Sequence, residues 1–128
     1  MIPAELRYHS EHEWIRIEGK IAVLGITDYA QEALGDVVFL ELPRPGSIVS
    51  AGQEIGEVES TKTTSAIYTP VSGKIIGVNE VLKEKPELIN KEPYGQGWIA
   101  RIEMSDPSEV QQMMDAKQYE AYLKEESP

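Results

Sequence analysis

The residues best placed to do chemistry lie in one short polar run, Glu59-Ser60-Thr61-Lys62-Thr63-Thr64-Ser65. Apolar residues stop at Val58 and resume at Ala66-Ile67. The run is too short and too rich in hydroxyls for a helix, because Ser and Thr side chains bond nearby backbone groups and favour turns. It therefore reads as a hairpin with Lys62 at its tip. An exposed amine held in place by two rigid strands is a substrate for acylation, which removes its charge and leaves a long flexible arm. The plainer alternative is a solubilising lysine, as most exposed lysines are.

Other constellations carry less. Gly56, Thr61, Lys62 and Thr63 approach a phosphate-binding loop, but Thr61 stands where a glycine must let the backbone meet the phosphate. The segment that follows, Ser65 to Pro70, also reads as a strand, whereas a phosphate loop opens a helix. His9 and His12 are three apart with no third ligand in view, so a metal site is not expected. Ser72, in Pro70-Val71-Ser72-Gly73, has no histidine near it in sequence and reads as a turn residue. Met104, Met113 and Met114 read as packing, and Trp14 and Trp98 as core or rim. The chain contains no cysteine, which excludes disulfides, thiol nucleophiles and thiolate metal sites. Any redox chemistry must come from an attached group, and no constellation for an enzyme remains.

The elements that must position Lys62 are mostly short strands between Gly and Pro turns. Glu13 to Ile17 and Lys20 to Leu24, joined through Glu18-Gly19, predict an opening hairpin. Asp36 to Leu42, Glu54 to Glu59, Ser65 to Thr69, Lys74 to Val78 and Gly97 to Ile102 predict further strands. Turn signals about every 8–12 residues point to a β-sandwich or barrel. Asp28 to Leu34 reads as a short helix, with Asp28 and Gln31 in capping-box spacing and Gly35 as its stop. Asp106-Pro107-Ser108-Glu109 and Asp115 to Gln118 each carry start signals for a C-terminal helix. Tyr119, Tyr122 and Leu123 then form a stripe, and Glu125 to Pro128 are expected to fray. Gly52 to Glu59 and Gly73 to Glu80 share the pattern Gly-x-x-Ile-Gly-x-x-Glu, a faint internal echo across Lys62.

The chain has 128 residues, suiting a single domain over 1–128 with a core at about 6–104 and a helical tail at 106–125. Its 22 acidic against 12 basic residues give a formal charge of −10. That argues against nucleic acid, which needs a basic face, and favours a monomer that docks on basic partners. No apolar run approaches the roughly 20 residues that span a bilayer. No targeting segment is evident, so the protein is expected in the cytoplasm, or with such a segment removed.

The ordered motifs resemble one family, the H protein of the glycine cleavage system. They are His12-Glu13-Trp14; Gly25-Ile26-Thr27-Asp28-Tyr29-Ala30; Leu34-Gly35-Asp36-Val37-Val38; Glu41-Leu42-Pro43; Glu59-Ser60-Thr61-Lys62; Pro70-Val71-Ser72-Gly73; Asn79; Pro86-Glu87-Leu88-Ile89-Asn90; and Pro93-Tyr94-Gly95-Gln96-Gly97-Trp98. The resemblance runs from about Leu6 to Tyr122. It implies a mainly β, hybrid barrel-sandwich fold with a short internal helix and C-terminal helices. It also implies that lipoic acid is attached to Lys62, with Glu59 and Ser60 marking the attachment site. The implied role is that of a non-catalytic carrier. Its lipoyl arm takes an aminomethyl group from the pyridoxal-phosphate-dependent glycine decarboxylase to the aminomethyltransferase, and is reoxidised by dihydrolipoyl dehydrogenase. Lipoate-attaching enzymes are the remaining implied partners. The resemblance further implies a cleft that shields the loaded arm, with Glu13 to pair with the amine and Ile26 as apolar wall; a solvated strand position is the alternative for Glu13. The chain departs from the family at Thr61, where valine is usual, and at Ala66, where an acidic residue is frequent. Two other functions stay open, a lipoate donor to other proteins and an unmodified β adaptor. Biotin carriage is disfavoured because Thr61 and Thr63, not methionines, flank the lysine.

Overall fold

The computed structural model describes residues 2–126. Within them nine strands form two antiparallel sheets: β1 (Arg7–Tyr8), β2 (Glu13–Glu18), β3 (Ile21–Ile26), β4 (Val37–Glu41), β5 (Ile48–Val49), β6 (Glu54–Ser60), β7 (Thr64–Tyr68), β8 (Gly73–Val78) and β9 (Ala100–Met104). The larger sheet has the order β1-β2-β3-β9-β8-β5 and the smaller one β4-β6-β7. The fold is mainly β, as expected. Alternation along the strands fills the space between the sheets. Ile15, Leu24, Ile75 and Ile102 from the large sheet meet Leu40, Val58 and Ile67 from the small one in a single buried cluster.

Three α-helices join the strands: α1 (Asp28–Leu34), α2 (Leu88–Lys91) and α3 (Ala116–Glu126). Asp115 and Gln118 cap α3 reciprocally, each backbone N–H donating to the other's side chain at 2.9 and 2.8 Å. Its Tyr119 is fully buried with Leu6, Tyr8, Trp14 and Val23 in a second cluster, stacked on Tyr8 with ring centroids 4.7 Å apart. The tail therefore packs onto the outside of the large sheet. Of the end expected to fray, Glu125 and Glu126 are still helical, and Ser127 and Pro128 lie outside the described residues. No helix among the described residues is long and apolar enough to cross a membrane.

Three expectations need correction. The α1 cap is Thr27, whose hydroxyl accepts from the Ala30 N–H at 3.2 Å; Asp28 lies in the first turn and accepts from the Gln31 side chain at 2.9 Å. Pro107–Gln112 forms a 3-10 turn, not an α-helix, because the Glu109 carboxylate is taken by the Ser72 N–H and hydroxyl at 2.7 and 2.8 Å. It is thus unavailable to close a capping box. The last strand begins at Ala100 rather than Gly97. The echo segments lie in different sheets, β6 in the smaller and β8 in the larger, while β7 completes the hairpin as expected. The echo still has a physical content: strand pairing slips just before Gly56 in β6 and just before Gly77 in β8. Both glycines mark bends that curl the two sheets around one core.

Candidate functional site

Lys62 sits in the three-residue turn between β6 and β7, exposed, as do its neighbours Thr61 and Thr63. Ser60 builds the turn. Its buried hydroxyl accepts from the N–H groups of Lys62 and Thr63 at 3.2 and 3.1 Å and lies 3.2 Å from the Thr63 carbonyl, to which it donates. The Ser60 N–H donates to that same carbonyl at 2.8 Å. A small side chain with one donor and two acceptor sites is what this geometry needs, which gives Ser two positions before the lysine a physical reason. Glu59 is exposed on β6 and pairs across to Thr64 on one side and Phe39 on the other.

The hairpin tip is also held from the side. The Thr61 N–H donates to the Asp36 carbonyl at 3.0 Å. Next to it, Gly35 ends α1 with φ of 80°, a conformation that favours glycine. A methyl group there would stand 3.1 Å from Cε of Lys62, so the lysine stem lies across the bare backbone. Asn90 of α2 secures this corner. Its side chain accepts from the Val37 N–H at 2.9 Å and donates to the Gly35 carbonyl at 2.8 Å and to Gln31 at 3.0 Å. Gly35 and Asn90 belong to motifs visible in the sequence, but nothing in their spacing announces that they meet under Lys62.

A surface cleft of about 310 Å³ opens beside the hairpin. Ile26, Ala30, Ala33, Leu34, Val58 and Ala66 give it apolar walls, while Glu11, His12, Glu13 and Thr63 to Ser65 supply polar edges. Glu13 and Ile26 thus line one cavity next to the lysine turn. Glu13 is not the solvated strand residue of the alternative reading, since it is only 1% exposed. Its oxygens meet a ring nitrogen of His9 at 2.7 Å and the Tyr68 N–H at 3.0 Å. Burial pushes its carboxyl above the ordinary value, and the bonds from His9 and Tyr68 offset part of that rise. Glu11, exposed at the cleft edge, is a carboxylate that sequence reasoning missed.

The wall around His12 is tied to the tail. His12 has φ of 73°, rare for a residue with a side chain. Its ring bonds the Tyr119 hydroxyl at 2.8 Å and Glu126 at 2.9 Å. The Tyr119 hydroxyl also meets Thr27, the α1 cap, at 2.7 Å. Among the described residues, no three His, Asp or Glu side chains gather as a metal site.

A barrel-sandwich that presents a lysine on a tight hairpin beside an apolar cleft defines a cofactor-carrier domain. Comparison with known proteins narrows the class. The glycine cleavage H-protein family matches residues 6–126. The chain is 52% identical over 124 residues to the glycine cleavage system H protein of Symbiobacterium thermophilum, covering 97% of each chain. It is also 52% identical over 126 residues to that of Shigella dysenteriae, covering 98% of each. The crystal structure of a glycine cleavage system H protein from Mycobacterium marinum superposes with a TM-score of 0.86 at 39% identity, covering 99% of this chain and 100% of that one. The chain belongs to the glycine cleavage H-protein family. It is a lipoyl carrier and a non-catalytic component of that system.

Proposed function

We propose that lipoic acid is carried as an amide on Lys62, and that this arm serves the glycine decarboxylase, the aminomethyltransferase and dihydrolipoyl dehydrogenase in turn. The observation that carries the reading is the Ser60 turn, which holds Lys62 exposed at a fixed point on two strands. The surroundings fit the group: the amine faces solvent for a lipoate-attaching enzyme, and an apolar cleft opens alongside for a hydrocarbon arm. Bound there, lipoic acid supplies a dithiolane that takes up an aminomethyl group and is left as a dithiol, which explains redox work in a chain without cysteine.

The remaining roles belong to side chains of this chain. Ser60 and Glu59 define the attachment turn, the first by fixing the backbone and the second by offering an exposed carboxylate three residues before the lysine. Ile26 forms part of the apolar wall. Glu13 offers its buried carboxylate to the amine of a returning arm. An ammonium at the cleft would stabilise the ionised form that burial disfavours. Glu11 supplies a second, solvated carboxylate at the same cleft, on which Ala66 offers none. The chain acts as one monomeric domain over 1–128, with the core at about 6–104 and the tail at 106–125.

Intact-mass spectrometry after exposure to a lipoate–protein ligase tests the attachment. One lipoyl increment is expected on Lys62, and none on Lys62→Arg, which should retain the parent's melting curve. Lys62→Arg should also fail to support glycine–bicarbonate exchange with the partner enzymes. An increment on another lysine, or normal exchange by Lys62→Arg, would end the reading. Faster loss of the loaded group from Glu13→Gln and Glu11→Gln is the matching expectation for the cleft, and parental rates in both would remove these residues from it.

A further inference from the structure

The strand beside the lysine exposes two apolar side chains that regular alternation would place on opposite faces. In β4, Val38 is 48% and Phe39 57% exposed, while Val37 and Leu40 on either side are each 4% exposed. The cause is a slip in the β4–β6 pairing between Val37 and Phe39. Such a bulge re-aims side chains. The slip lets Val37 and Leu40, three residues apart, both face the core, and it leaves Val38 and Phe39 both facing out.

The pair is contiguous with the Lys62 turn. Phe39 pairs with Glu59 and Val37 with Ser60, Asp36 accepts from the Thr61 N–H, and Gly35 underlies the Lys62 stem. The three strands of this sheet also carry Glu41, Glu54, Glu57 and Glu59, all exposed, and no lysine or arginine. An apolar pair therefore stands within an acidic rim, on the strand paired with the residues that lead into the lysine turn.

We propose that Val38 and Phe39 form the docking anchor for the enzyme that acylates Lys62, one that presents an apolar socket with a basic rim. The inference rests on Lys62 being the attachment site. Reach singles out this partner. Enzymes that use the finished arm meet its far end, whereas the loading enzyme must bring an activated acyl group within bonding distance of Nζ. With an acyl-adenylate as donor, the lysine nitrogen attacks the carbonyl carbon. The C–N bond forms as the C–O bond to adenylate breaks, AMP leaves, and the nitrogen gives two protons to water. Lysine has only a four-carbon stem, so the loading enzyme must cover the ground on which that stem lies. That ground runs from Gly35 into β4. Apolar anchors inside a polar rim dominate binding energy at such interfaces, and the acidic rim complements a basic partner.

The test is acylation of the full chain by a lipoate–protein ligase with lipoate and ATP, read by intact mass. Calorimetry of the ligase with Lys62→Arg, which cannot be acylated, gives the dissociation constant separately. Combining Val38→Thr with Phe39→Ser should raise the acceptor KM about tenfold with kcat within about twofold, and should weaken binding by the same factor in the Lys62→Arg background. The melting curve should stay at the parent's. Ile48→Ser, at a 74% exposed apolar position on β5 of the other sheet, should leave KM unchanged. Parental KM and binding in the double variant would overturn the proposal, as would an equal loss in Ile48→Ser. Sedimentation showing a parent dimer that the double variant dissolves, with KM unchanged, would give this face to a second copy and likewise overturn it. Failure of the parent to be acylated at Lys62 would instead sink the attachment reading itself.

Discussion

Ser60→Ala removes the hydroxyl that organises the Lys62 turn. Lost are the bonds accepted from the Lys62 and Thr63 N–H groups at 3.2 and 3.1 Å and the one donated to the Thr63 carbonyl at 3.2 Å. The backbone bond from the Ser60 N–H to that carbonyl, 2.8 Å, survives. An intramolecular hydrogen bond contributes about 0.5–1.5 kcal/mol net. These three are long, and the freed N–H groups sit at exposed residues where water replaces the hydroxyl. Their sum is therefore about 1–2 kcal/mol, from the lower end of that range. In a domain of this size the loss lowers Tm by roughly 3–8 °C. Urea denaturation should show a lower midpoint at constant m-value. Amide hydrogen exchange followed by NMR should accelerate at Lys62 and Thr63 while Val58, deeper in β6, keeps its protection. Unchanged exchange at Lys62 and Thr63 would refute the assignment of the turn to this serine, whatever happens to global stability.

Three further outcomes are expected. Because burial raises the Glu13 carboxyl, its contribution to stability is fully present below the unfolded-state pKa and is lost as pH rises through the folded value. Glu13→Gln can still accept from the Tyr68 N–H and donate to His9, so its stability relative to the parent should improve as pH rises above the ordinary carboxylate range; parallel urea-midpoint curves would contradict this. Asn90→Ala breaks three bonds under the Lys62 corner and should cost about 2–3 kcal/mol, with faster exchange at the Val37 amide as its signature. Gly25→Ala would put a methyl group 2.5 Å from the Trp14 ring, which cannot retreat without losing its bond to the Pro93 carbonyl at 3.0 Å. A loss of about 3 kcal/mol with shifted tryptophan fluorescence is expected, and unchanged emission would count against it.

The hairpin was legible because alternation stops at Val58 and resumes at Ala66, a local signal that tertiary structure had no reason to override. The opening hairpin and α1 were legible on the same grounds. Misses occurred where distant groups decide local conformation. Gly97 looked like the start of a strand, yet carbonyls of Leu88 and Glu92 crowd it so closely that a Cβ would lie 2.7 and 2.8 Å from them. The backbone there is pinned to α2 and joins the sheet only at Ala100. Glu109 was drawn off by Ser72, which is far away in sequence. Strands β1 and β5, of two residues each, are too short for any periodicity to register. Glu13 could be placed at the cleft beside the lysine turn through the family motif alone. Its burial and its pairing with Tyr68 depend on a strand 55 residues away.

The bond from the Thr61 N–H to the Asp36 carbonyl gives the Lys62 side chain a fixed origin. A loose hairpin would add its own excursions to those of the lysine and whatever it bears, and the attached group would explore a larger volume. With the turn pinned to the body of the sandwich, only the bonds beyond the turn set that volume. The effective concentration offered to a docked enzyme falls roughly as the −3/2 power of tether length or more steeply. Rigidity at one backbone bond is therefore a kinetic asset for a protein that catalyses nothing: it keeps the tether short.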